Sequence, residues 1–207
     1  MSQLDPPPKN LSELKLPIFA VRRRAGALVR LAWPDPTTHD GFRRSAKYRF
    51  DAPDGSFGVL YAAFDLKTAF AETVLRDSPA RTEAAKIRLD YAELEARRVV
   101  AIDTHAATRP LRLIKLYGDG LVAARTDNRI ATLDEYSLTR AWAKALHAHP
   151  QQADGIVYLS RFMAPHKAVV LFDRSPHLIK GGTVTPLLLH SGLAKILDDL
   201  ELAIDPP

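Results

Sequence analysis

The chain has 207 residues, of which 46% are hydrophobic and 26% charged, with no cysteine and a formal net charge of +5. That is room for one sizeable domain with its own core and too little for two full ones. A disulfide framework and a cysteine-based zinc site are excluded, and the positive balance favours anionic partners: phosphates, nucleic acid or an acidic protein.

No apolar run approaches the roughly 18 residues a membrane span needs, and "MSQLDPPPKNLSELKLP" lacks the apolar core of a signal peptide. The expectation is a cytoplasmic protein, with no role at a membrane. The densest basic clusters, at 22–24, 43–44 and 97–98, are short and scattered, the pattern of a solvated surface.

In chain order, residues 1–17 read as a loose lead-in and 18–207 as the functional domain. "ALVRLAW", 27–33, is a short strand candidate interrupted by Arg30, and "PDPTTHDGFRRSA", 34–46, is a loop. "KYRFDAP", 47–53, alternates and breaks at Pro53. "SFGVLYAAF", 56–64, is a buried strand, and "DLKTAFAETVLRD" a helix with Asp65 as N-cap. "EAAKIRLDYAEL" and "RVVAID", 98–103, continue the mixed pattern, whereas "RPLRLIKLYG", 109–118, is apolar without a decisive period. "DEYSLTRAWAKALHAHP", 134–150, is a helix that must stop by Pro150. "DGIVYLSRF", 154–162, and "KAVVLFDR", 167–174, are strands, and 192–204 is a closing amphipathic helix. There is no repeat, GxGxxG or P-loop. The interspersed elements predict an α+β fold, a single domain with a mixed or antiparallel β core flanked by helices.

Projected at 100° per residue, Leu66, Phe70, Thr73 and Val74 share one helix face and Glu72 lies nearly opposite. Glu72 either meets solvent or lines a cleft. Tyr61 is a core tyrosine or a cleft wall. Arg30 and Arg49 must each reach water or an anion. Ser160, on the strand face of Ile156 and Tyr158, bonds to backbone or to a ligand. His147 and His149 are a tempting metal pair without a third ligand nearby, so no metal site is expected.

The early-strand arginine, "YRFD", "GVLYAAFDLKTAFAETVL", "ADGIVYLSR" and "VVLFDR", taken in order from Arg30 to Arg174, resemble the RES domain family, named for an arginine, a glutamate and a serine. In one departure, Ala46, Lys47 and Tyr48 precede Arg49 where members often carry glycine, which bears on the loop and on the aim of Arg49. The resemblance implies a fold similar to ADP-ribosyltransferases and the role of toxin in a bacterial toxin–antitoxin pair, with NAD consumed as substrate and no metal. It carries the named residues over as Arg30, Glu72 and Ser160, with Arg49 and Tyr61 beside them. Glu72 would stabilise the cationic ribose, and the two arginines the pyrophosphate. Tyr61 would offer a flat face to the nicotinamide or ribose, and Ser160 a hydrogen bond to the nicotinamide amide or a phosphate. The implied partner is a cognate antitoxin, often with a helix-turn-helix DNA-binding part, in homo-oligomers or toxin–antitoxin hetero-oligomers. Direct nucleic-acid binding is not expected. Three alternatives stay open: ADP-ribosylation of a protein target, a basic nucleic-acid-binding module, and an inactive relative kept as an interaction protein.

Overall fold

Val157, Val169 and Leu171 bury their side chains in one apolar cluster, and their neighbours Ile156, Tyr158, Ala168, Val170 and Phe172 bury theirs in another. A strand sends alternate residues to opposite faces. A run apolar at every position is therefore covered on both sides. This organises the computed structural model, which describes residues 4–76 and 87–206. The strands are β1 (Ile18–Val21), β2 (Leu28–Ala32), β3 (Val59–Ala63), β4 (Ile87–Leu89), β5 (Arg98–Asp103), β6 (Leu111–Leu116), β7 (Gly155–Leu159), β8 (Lys167–Phe172), β9 (Lys180–Pro186) and β10 (Leu202–Ile204). Eight form one sheet in the order β1-β6-β7-β8-β3-β2-β5-β9, and β10 pairs with β4 in a small parallel one. Only β6 and β7 run parallel in the large sheet; its other pairs are antiparallel. The fold is a single domain, a large mixed sheet flanked by helices, as the sequence pattern predicts.

The helices are α1 (Leu66–Phe70), α2 (Tyr91–Glu95), α3 (Asp119–Ala123), α4 (Arg129–Thr132), α5 (Ser137–His147) and α6 (Gly192–Asp199). Trp142, Ala143 and Leu146 of α5 cover one face of the sheet. A third cluster gathers Phe70 and Val74 with Leu31, Leu94, Leu193 and Ile196, so the segment carrying Glu72 is bolted to β2, α2 and α6.

Several expectations are corrected by packing. The lead-in is anchored: Leu4, Leu11 and Leu16 are buried, and the Trp142 indole donates to Asp5 O at 2.9 Å. Residues 47–53 form no strand, because Asp51 folds the segment around its own carboxylate. The ambiguous 109–118 stretch contains β6. The closing helix stops at Asp199, and Glu201, in the left-handed region at φ 52°, turns the chain into β10. Asp77 and residues 83–86, assigned to helix and to mixed pattern from sequence, lie outside the described residues.

β2 and β3 set the site. They share a single residue pair, Val29 with Ala63, and then part. Each stays fully paired on its other side, β2 with β5 and β3 with β8. The 34–46 loop returns into the open end, where Arg43 exchanges two backbone hydrogen bonds with Val59, at 2.9 and 3.0 Å. The result is a wedge in the middle of the sheet.

Candidate active site

The wedge holds a cleft of about 540 Å³. Its floor and walls come from β2, β3, the 34–49 loop, the helix after β3, and the turn after β7. Among the described residues, seven cations line it (Arg30, Arg43, Lys47, Arg49, Arg76, Arg97 and Arg161) against one carboxylate, Glu72.

Asp65 caps the helix that carries this carboxylate, accepting from Thr68 N at 2.8 Å. After Phe70 the helix widens to a π-turn over Ala71–Leu75, a distortion often found at functional sites. Phe70 and Val74 keep facing the core, while Ala69, Glu72, Thr73 and Arg76 face the cleft. Thr73, expected on the apolar face, is thus on the cleft side, at the three- and four-residue spacing of one helical stripe.

Glu72 Oε1 accepts from the Ser160 hydroxyl at 2.6 Å and from Arg161 N at 3.1 Å. Ser160 sits one residue past β7 and is 1% exposed. Its oxygen also accepts from Phe162 N at 3.3 Å and Met163 N at 3.2 Å. Its bonding capacity is spent on Glu72 and on the turn. Ser160 lies beneath the carboxylate, outside the cleft lining.

Tyr61 presents its ring to the cleft, and its hydroxyl is tied down. It accepts from Phe50 N at 2.8 Å and donates to Asp51 Oδ1 at 3.1 Å. Burial, then the Asp51 charge, push its phenol well above the ordinary tyrosine value, so it stays a donor. Asp51 is 1% exposed. Its second oxygen accepts from Lys47 N, Tyr48 N and the Ser45 hydroxyl. This hub shapes the loop that departs from the family's glycine pattern. Arg49, whose aim that departure touches, donates to Leu133 O at 2.5 Å and lies over the Tyr136 ring at 4.9 Å.

Arg30 is the opposite case. Its Nε and Nη1 are buried without a hydrogen-bond partner. Burial, reinforced by the Arg43 charge, lowers its pKa to about 10 against the pull of Asp40. An arginine held this way fits an anion binding in the cleft.

The structure therefore brings Arg30, Arg49, Tyr61 and Glu72 to one cleft and puts Ser160 behind Glu72. Sequence reading missed three features: the Asp51 hub, the Tyr48 ring flanked by Arg43 and Arg76 at 5.1 and 4.5 Å, and the Arg97–Trp33 stack at 3.8 Å. The "YRFD" tetrapeptide pointed to the first two. The third joins residues far apart in sequence and had no local signal. His147 stacks on Phe57 at 4.1 Å, with burial lowering its pKa to about 4. His149 Nδ1 accepts from Gln151 N, leaving its Nε2 to donate to Leu11 O at 3.1 Å. Both histidines are packing residues. Among the described residues, no helix is long and apolar enough to cross a membrane.

Residues 21–189 match the RES domain. The "Probable toxin y4kH" of Sinorhizobium fredii (strain NBRC 101917 / NGR234) is 34% identical over 97 residues, spanning 46% of this chain and 76% of that protein. A chain in the crystal structure of the M. tuberculosis MbcT–MbcA toxin–antitoxin complex has a similar fold, with a TM-score of 0.60 and 18% identity over 90% of this chain and 98% of that one. This chain belongs to the RES domain family.

Proposed function

We propose that the protein is the toxin of a toxin–antitoxin pair and that it breaks the bond between nicotinamide and ribose in NAD. The observation that carries the reading is one anchored carboxylate, Glu72, in a cleft whose other charged lining residues, among those described, are cations. The volume, about 540 Å³, suits a small-molecule ligand.

In the reaction the C1′–N bond breaks and its electron pair leaves with nicotinamide, which departs neutral. The ribose becomes an oxocarbenium-like cation. Glu72, ionised and facing it, stabilises that charge. Arg30 and Arg49 hold the pyrophosphate, for which their planar forks are suited. Tyr61 supplies a ring wall. Ser160 is a positioning residue: its hydroxyl and Arg161 N fix one carboxylate oxygen and leave the other for the ribose.

Water or phosphate then attacks the same ribose carbon and loses a proton to solvent, giving ADP-ribose or its phosphate ester at that carbon. A protein side chain as acceptor would make the enzyme an ADP-ribosyltransferase. The relative named a probable toxin and the similar chain taken from a toxin–antitoxin complex support a partner protein for this chain. That partner is a cognate antitoxin, with a helix-turn-helix part and assembly into hetero-oligomers as the expected form.

The test is incubation of the purified chain with NAD, alone, with phosphate, and with cell extract. NAD loss without extract, giving ADP-ribose or its phosphorylated form, supports breakdown. NAD intact until extract is added, with label then on one protein band, replaces breakdown by ADP-ribosylation.

A further inference from the structure

We infer that Trp33 is the base-stacking platform of the cleft and holds the adenine of the dinucleotide, the end that does not react. The inference rests on the NAD reading above and extends it to the half of the ligand that none of the residues assigned so far touches.

Trp33 follows β2 directly and is 45% exposed. The other large hydrophobics exposed among the described residues, Val122, Val184 and Leu189, do not line the cleft; Trp33 does. Its ring is held. The Arg97 guanidinium lies over it at 3.8 Å, and Arg97 is 6% exposed and pinned by Glu93 at 2.7 Å. Cross-strand register enforces the stack, because Ala32 pairs with Arg98 and so sets their neighbours Trp33 and Arg97 side by side. An indole fixed from one side by a cation, with open surface remaining, is a surface on which a base can stack.

Register also gives the order of groups along the cleft. Ser160 follows Leu159, which pairs with Lys167; the next residue, Ala168, pairs with Ala63, and Ala63 with Val29. Glu72, bonded to Ser160, is therefore level with the closed end of the wedge. Arg30 is next to Val29. Trp33 lies three residues further, roughly 10 Å along an extended strand, towards the open end. Carboxylate, unpartnered arginine and indole thus follow one another as reacting ribose, pyrophosphate and adenosine do in NAD.

The test uses ADP-ribose, which lacks nicotinamide, and nicotinamide mononucleotide, which lacks adenine. The chain has two tryptophans, and Trp142 is fully buried, so ligand-dependent emission reports on Trp33. ADP-ribose should change the emission of the wild type and leave that of Trp33→Phe unchanged. Calorimetry should show ADP-ribose binding to Trp33→Ala about 10- to 100-fold more weakly, to Trp33→Phe within a few-fold of wild type, and nicotinamide mononucleotide equally to all three. The phenylalanine variant keeps a ring beside Arg97 and so separates stacking from a folding defect. Trp33→Ala binding ADP-ribose as tightly as wild type, or the mononucleotide alone perturbing Trp33, overturns the inference while leaving the NAD reading intact. A wild-type chain that neither consumes NAD nor binds ADP-ribose overturns both.

Discussion

The two sides of the cleft are built on opposite principles. On the side of β3 and the turn after β7, the polar groups are tied into networks. Glu72 accepts from Ser160 and Arg161, Tyr61 bonds Phe50 and Asp51, and Asp51 gathers the 45–51 loop. On the side of β2 and β5, Arg30 Nε and Nη1 and Arg97 Nε have no hydrogen-bond partner, although Arg97 also holds Glu93. Of the six buried side-chain atoms without a hydrogen-bond partner among the described residues, three belong to Arg30 and Arg97. A satisfied polar network stabilises and orients. A buried guanidinium without an anion costs free energy until one arrives. The first side holds its groups in place, and the second keeps a cost that an anion bound there would offset.

The contrast makes substitutions on the two sides differ in kind. The largest effect belongs to Glu72→Gln. It keeps the acceptor used by Ser160 and Arg161 and removes the charge. NAD turnover should fall about 10²- to 10³-fold with thermal unfolding unchanged, as read by nicotinamide release and calorimetry.

Asp51→Ala comes next. It strips the partners from Tyr61, Ser45 and two backbone N–H groups at once. Orphaned buried donors cost about 1–3 kcal/mol each where water cannot reach them. Chemical denaturation should show a loss of a few kcal/mol, and Arg49, carried on the same loop, should lose its aim, raising KM for NAD.

Arg30→Met should do the reverse on the other side. It removes a half-buried charge that lacks hydrogen bonds at Nε and Nη1 and is repelled by Arg43, so stability should rise by about 1–3 kcal/mol while NAD affinity drops by roughly tenfold or more. The pH dependence has the matching sign. The folded-state pKa of Arg30 is lowered to about 10 from 12.5, so its penalty is full below about 10. The penalty fades as pH rises from there towards 12.5, and wild type should approach the variant only in that alkaline window. A variant less stable than wild type at neutral pH would break the comparison between the two sides.

Ser160→Ala is the smallest change. It frees Glu72 on one side and leaves Phe162 N and Met163 N short of an acceptor. The turnover number should fall by roughly tenfold, the range of one hydrogen bond to a charged group, while KM stays level. A rise in KM with unchanged turnover would mean that Ser160 touches the ligand itself.

Much of this was legible in the residue pattern, for reasons that also mark where legibility ends. The apolar runs at 56–64, 154–162 and 167–174 announce strands because both faces of the sheet are covered. Asp65 announces α1 because capping is a local interaction. β9 begins with "KGGT" and lies at the sheet edge, so nothing in its own composition demands a strand. The 47–53 alternation misleads because Asp51 accepts backbone hydrogen bonds a ladder would otherwise take. Glu72 stood out as a charge nearly opposite the apolar face of its helix. That Ser160 would serve it required the level of β7 relative to β3, and the Trp33–Arg97 stack required the register of β2 on β5. Long-range register is set by the whole sheet and leaves no local trace.

The most direct measurement is nicotinamide release from NAD by wild type and Glu72→Gln side by side, with NAD binding to the variant followed by calorimetry. The account predicts release by wild type, and a variant that still binds NAD while releasing about 10²- to 10³-fold less. Release by Glu72→Gln within a few-fold of wild type, or none from either protein, would contradict it.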